Sequence, residues 1–197
     1  MGAMSTWSRP IRWHAGRVAE LIVYACPIGE LAESLERYFS RALEECGHNA
    51  AHDFMPHVSL TGFFHDDRAA WPGYVDALGA LIAATSADGA EPTTVTGMLL
   101  RDDFHLLAVE SRWFQSLALG FRDAVTPSAT RLEEIRPKEW LHLSLAYGFA
   151  AEQKERLAQL AQQWVRPDAA CGWEIRLYER STGNHWSLLA AWPSLRS

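Results

Sequence analysis

Two short stretches each place a serine two residues after a histidine. They are Pro56-His57-Val58-Ser59-Leu60-Thr61-Gly62 and Leu141-His142-Leu143-Ser144-Leu145-Ala146-Tyr147-Gly148. Imidazole titrates near neutral pH, so a neutral ring takes up a proton and a protonated ring gives one away. A serine hydroxyl donates a hydrogen bond to an anionic oxygen. Around one cleft, two such pairs suit in-line displacement at a phosphodiester. One histidine takes the proton of the attacking oxygen, and the other gives a proton to the leaving oxygen. The hydroxyls hold the phosphoryl oxygens as charge develops on them.

That chemistry needs elements that aim the polar side chains together. Both stretches are apolar and strand-like, and successive side chains of a strand point to opposite faces. His57, Ser59 and Thr61 therefore share one face, with Val58 and Leu60 on the other. His142 and Ser144 share a face, with Leu141, Leu143 and Leu145 opposite. A third His-x-Ser-Leu match, His185-Trp186-Ser187-Leu188, lacks the following glycine. It comes straight after a turn signal, as His105 does earlier in the chain, and reads as a hairpin position.

The order of elements repeats. A strand over 20–26 leads to a helix over 28–47, on which Leu31, Leu35, Tyr38, Phe39 and Leu43 recur at helical spacing. The first motif strand spans roughly 55–64, and His65-Asp66-Asp67 reads as a solvated turn. A helix follows from Arg68 to Ala87, then a break at Ala87-Asp88-Gly89. Strands over 93–100 and 104–110 flank the turn Arg101-Asp102-Asp103. The second half gives a helix over 111–124, a polar loop over 126–139, the second motif strand over 140–149 and an amphipathic helix over 152–165. It ends in a hairpin, 172–180 and 185–192, around Ser181-Thr182-Gly183-Asn184. Each half thus reads helix, motif strand, helix, strand, turn, strand. This predicts one bilobal domain, with lobes over about 18–110 and 111–193 and the motif strands facing across the join. The loop before the second motif has the composition of a lid or of a plain mobile loop.

Composition sets the bounds. The chain has 197 residues, 48% hydrophobic and 21% charged, as expected of a globular protein. A net charge of −6 argues against duplex nucleic acid as partner, which requires many basic contacts. It leaves a small phosphorylated ligand open. The longest apolar run, Leu21 to Pro27, is far too short to span a bilayer. Cys26, Cys46 and Cys171 are odd in number and form no Cys-x-x-Cys, so free thiols in the cytoplasm are expected. Met1-Gly2-Ala3-Met4 reads as a cloning scar before a native start, and residues 5–17 as a surface arm.

The paired motifs resemble the two-histidine phosphoesterases, whose hallmark is two His-x-Ser/Thr-hydrophobic tetrapeptides on facing strands. The run into Ala146-Tyr147-Gly148 looks most like the cyclic phosphodiesterase branch. The resemblance covers about residues 18–193. It implies an α+β fold of two pseudo-symmetric lobes, each an antiparallel-rich sheet with outer helices, and a cleft between them. It implies metal-independent chemistry without a cofactor on a 2′,3′-cyclic nucleotide, an ADP-ribose cyclic phosphate or an RNA terminus. His57 and His142 would be the acid–base pair, and Ser59 and Ser144 would bind the phosphoryl oxygens. Tyr147 is the first candidate for stacking on a base or ribose, with Phe63, Phe64 and Trp186 behind it. Nothing in the two matching motifs says which histidine is the base.

Two other readings stay open. His52, Asp53, His57, His65, Asp66 and Asp67 cluster in sequence and could ligate a metal in a hydrolase. A nucleotide or RNA-end binding module without turnover would also use such a cleft. Arg131, Arg136, Lys138, Arg176 and Arg180 could supply a phosphate clamp, although a solvated surface position is the ordinary place for most of them.

Overall fold

The computed structural model describes residues 18–85 and 92–193. The arm over 1–17 and the break at 87–89 lie outside them. The elements are β1 (Val18–Ile28), α1 (Glu30–Cys46), β2 (Val58–Ser59), β3 (Phe64–Asp67), α2 (Trp71–Thr85), β4 (Thr94–Leu100) and β5 (Phe104–Glu110). Then come α3 (Arg112–Ala124), β6 (His142–Tyr147), α4 (Lys154–Trp164), β7 (Gly172–Ser181) and β8 (His185–Pro193). The fold is α+β, with all described strand pairs antiparallel.

The strands run β4-β5-β6-β2-β1-β7-β8, with β3 also on β1. The two motif strands meet at the middle through one residue pair, Val58 with Leu143. On one side lie β4, β5 and β6; on the other lie β2, β1, β7 and β8. The pairing crosses the sequence division at residue 110. The β4–β5 hairpin of the first half pairs with β6 of the second. The β7–β8 hairpin of the second half extends β1 of the first, through nine consecutive residue pairs from Glu20–Arg180 to Ile28–Gly172. Each lobe is therefore built from both halves of the chain.

β1 is buried on both faces, which is why it reads as a continuous apolar run. Ala19, Leu21, Val23 and Ala25 face the main core under the helices. Ile22, Tyr24 and Cys26 face the opposite side with Tyr178, Met55, Phe63 and Trp186. Helices α1 and α4 pack together, as do α2 and α3. On α1, Leu31, Leu35 and Tyr38 are fully buried as their spacing predicts, each leucine contributing about 1.5–3 kcal/mol. Leu43 is exposed and Ala42 takes the inward place.

The first motif departs from a single strand over 55–64. Ser59 pairs with Tyr24, but Phe64 pairs with Leu21, so four residues on the motif side oppose two on β1. In this bulge the Val23 amide donates to the Thr61 hydroxyl (3.2 Å) and the Leu60 amide to the Val23 carbonyl (2.9 Å). The bulged residues turn to the loop over 126–139 instead. The Gly62 amide donates to the Arg136 carbonyl (2.8 Å), and the Lys138 amide to the Leu60 carbonyl (2.9 Å).

His65-Asp66-Asp67 is not a solvated turn. It is the body of β3, and Asp66 is fully buried. Its carboxylate accepts from the Tyr74 hydroxyl and from Ser128 Oγ (3.2 Å). Ile135 is buried and the Leu132 amide donates to the His65 carbonyl (2.9 Å). The loop before the second motif is thus stitched to β3 rather than poised as a free lid.

Removing the Asp66 carboxylate strands a buried hydroxyl and releases the loop. Asp66→Ala is expected to cost about 2–4 kcal/mol in urea denaturation, whereas Leu132→Ala, at an exposed position, stays within about 0.5 kcal/mol.

Candidate active site

A cleft of about 530 Å³ opens on the face opposite the helices, over the β2–β6 junction. Val58 and Leu143 are both fully buried against the core. Strand alternation then turns their neighbours outward, and His57, Ser59, His142 and Ser144 all line the cleft. Among the described residues, neither serine hydroxyl has a hydrogen-bond partner, so both remain available to a ligand.

Each imidazole is held from behind and from the side. His57 Nδ1 lies 2.7 Å from the Met55 carbonyl, which makes it the protonated nitrogen. The Trp140 carbonyl acts on His142 in the same sense from the same offset, although Nδ1 falls short of a full hydrogen bond. The Tyr24 ring packs on His57 with 3.8 Å between centroids, and the exposed Trp140 ring packs on His142 at 4.5 Å. In both, the planes lie within about 35° of each other.

Burial dominates the titration of both rings. It pushes His57 down to about 4; the Met55 carbonyl opposes this and the nearby His142 adds to it. His142 is lowered as well, first by burial, with the Trp140 carbonyl opposing and Lys138 adding to the shift. Both rings therefore take up a proton less readily than a free imidazole.

The remaining candidates divide. Tyr147 and Phe63 line the cleft. Phe64 does not: it is fully buried against Tyr74 and Phe121. Trp186 stands behind the wall, its Nε1 donating to the Asp53 carbonyl (3.0 Å) and its ring against Phe54 and Tyr24. His185 is exposed on its hairpin, with Nδ1 3.1 Å from the Gly183 carbonyl. The two motif glycines serve different ends. Gly148 has φ +65°, which glycine adopts without strain. Gly62 leaves room beside the Arg136 guanidinium, 3.6 Å from where a Cβ would stand.

The sequence cluster of possible metal ligands disperses. His52 Nε2 faces the Phe39 carbonyl, Asp53 binds His48, His65 binds Glu133 and Asp66 is buried in β3. Among the described residues no three His, Cys, Asp or Glu side chains converge as a metal site.

The sequence reading missed the two cleft residues that pack on the histidines, Tyr24 and Trp140. Trp140 carried a signal, because it sits two residues before His142 and so belongs to the same strand face. Tyr24 carried none, because its place depends on the pairing of Tyr24 with Ser59.

No family model matches the chain. It is similar to ecdysteroid-phosphate phosphatase of Drosophila melanogaster, 26% identical over 82% of this chain and 26% of that protein. It is also similar to ubiquitin-associated and SH3 domain-containing protein A of Mus musculus, 30% identical over 82% of this chain and 26% of that protein. The chain thus spans about a quarter of the length of these curated relatives. In structure it matches Escherichia coli LigT complexed with phosphate at a TM-score of 0.50, with 15% identity over 90% of this chain and 98% of that one. Among the described residues no helix is long and apolar enough to cross a membrane.

Folded imidazoles that resist protonation make the protein acid-labile. His105 joins His57 and His142 here: its side chain is buried against Phe149 and its affinity for a proton is lowered, first by burial. Below pH about 6.5 the unfolded chain takes up protons that the folded chain refuses, so stability falls as pH falls. His105→Leu removes one such group. It is expected to lose less stability than wild type between pH 7 and pH 5 in urea denaturation; an equal loss would show that His105 does not contribute.

Proposed function

We infer that this chain, which has the two-histidine phosphoesterase fold, is a phosphoesterase acting on a 2′,3′-cyclic phosphate or an RNA end. The candidate substrates are a cyclic nucleotide, an ADP-ribose cyclic phosphate or an RNA terminus. The observation that carries this reading is the Val58–Leu143 pairing, which turns two imidazoles and two unpartnered serine hydroxyls into one cleft. A phosphorylated ligand is supported by the Drosophila relative, named for a phosphate ester, and by the phosphate complex of LigT.

The reaction balances on the chain's own groups. Ser59 and Ser144 donate to the non-bridging phosphoryl oxygens. Water attacks phosphorus in line with one ring P–O bond. As the new O–P bond forms, the neutral histidine takes the proton of the water. As the ring bond breaks, the protonated histidine gives its proton to the departing sugar oxygen. The product is a phosphomonoester beside a free hydroxyl, and the two histidines have exchanged protonation states. Tyr24 and Trp140 keep the rings oriented, and Tyr147 offers a face for the sugar or base.

Burial lowers the affinity of both rings for a proton, so the acid must gain its proton with help. A bound phosphodiester anion stabilises an imidazolium beside it. The substrate therefore supplies the charge that its own cleavage requires.

The test is phosphorus NMR in EDTA with adenosine 2′,3′-cyclic phosphate, an ADP-ribose cyclic phosphate and an RNA ending in a cyclic phosphate. Wild type and His185→Ala are expected to convert substrate to monoester. His57→Ala and His142→Ala each lose about 10²–10⁴-fold. Conversion only after metal replaces EDTA would overturn the mechanism. Binding without conversion would favour a recognition module.

The pH profile follows from the depressed imidazoles. In the free enzyme burial lowers the acid's affinity for a proton below that of an ordinary imidazole, so kcat/KM is expected to be falling already across neutral pH, about tenfold per unit. The profile of kcat is expected to lie at higher pH, because bound substrate raises the same groups.

A further inference from the structure

We propose that Arg136 and Lys138 form a second anion site in the cleft, so that the preferred substrate carries a second phosphate besides the reacting one. This rests on the phosphoesterase reading above.

The cleft is electrostatically unlike the rest of the molecule. The chain carries a net charge of −6, yet among the described residues no Asp or Glu lines the cleft. The two cations that do line it, Arg136 and Lys138, pair with no carboxylate among the described residues. Other nearby arginines are spent. Arg180 is bound to Glu20 by two hydrogen bonds (2.6 and 3.0 Å) and Arg176 to Glu174. Arg131 donates to the Val125 and Glu133 carbonyls (3.0 and 3.1 Å), closing its own loop. Two unpaired cations in one concave site, with no acid to neutralise them, leave an unbalanced positive potential that an anion completes.

The backbone fixes where these cations stand. Pro137 pairs with Thr61 across the bulge, and the flanking hydrogen bonds to Gly62 and Leu60 pin residues 136 and 138. Residues two apart on an extended segment share a face, so both side chains go to the same side. Lys138 stands near enough to His142 to lower its affinity for a proton. The serines and histidines already account for the reacting phosphate. Arg136 and Lys138 stand at the Leu60–Gly62 end of the first motif. They fit a second phosphate of the ligand whose reacting phosphate the serines and histidines hold. Two chemical sources present one there: a terminal 5′-phosphate, or the next internucleotide phosphate of an RNA end.

The experiment compares kcat/KM for adenosine 2′,3′-cyclic phosphate, its 5′-phosphorylated form and a dinucleotide ending in the same cyclic phosphate. Wild type and the double variant Arg136→Gln/Lys138→Gln are assayed at low and high salt. The second phosphate is expected to raise kcat/KM about tenfold in wild type at low salt. Salt is expected to shrink that gain, and the double variant to bring the ratio near one. Whichever of the two substrates gains identifies the source. Equal rates for all three substrates in wild type would overturn the proposal. Should no substrate turn over, the phosphoesterase reading fails, and binding decides this proposal separately. Calorimetry then compares adenosine 3′,5′-bisphosphate with adenosine 3′-monophosphate. Tighter binding of the bisphosphate, lost in the double variant, upholds the site; equal affinities overturn it.

Discussion

The pairing of Val58 with Leu143 is the constraint on which the cleft depends. Both side chains are fully buried under the helices. With those two facing inward, a strand's period of two leaves the neighbouring residues no choice but the other face. A slip of one residue in either strand would bury a histidine and a serine and expose leucines. The apolar core thus enforces the position of the polar site, and it does so at the one pair that joins the two sides of the sheet.

The packing around that pair explains why the imidazoles behave as they do. β1 buries side chains on both faces, so the cleft floor under His57 is as closed as the core behind it. An aromatic ring lies on each imidazole, and a backbone carbonyl two residues upstream acts on each. Desolvation and orientation come from the same atoms. Burial lowers the affinity of both imidazoles for a proton, and among the described residues no carboxylate lines the cleft. The cations that line it, Arg136 and Lys138, come from the loop before β6.

Local periodicity made the centre of the site readable in the sequence. His57 with Ser59 and His142 with Ser144 needed only the alternation of a strand, and the Arg101-Asp102-Asp103 turn needed only its composition. The outer residues of the site depended on distant pairing. Tyr24 reaches His57 because β1 lies beside β2, and no local pattern says so. His65-Asp66-Asp67 has the composition of a turn, but Phe64 and Asp66 alternate inward, and Tyr74 and Ser128 satisfy the carboxylate. The repeat of element order was equally visible, whereas the exchange of hairpins between the halves was not. Nothing in element order distinguishes a hairpin that closes on its own motif strand from one that crosses to the other.

That exchange sets an order of assembly. β1 is synthesised before every other described element of the domain, and its long edge pairs with β7, which follows it by more than 140 residues. Until residues 172–181 emerge, β1 presents an open apolar edge, and the wall behind His57 lacks Tyr178 and Trp186. The β4–β5 hairpin waits in the same way for β6. Contacts so distant in sequence form slowly. The cleft therefore forms all at once and late, when the second half of the domain closes over the first.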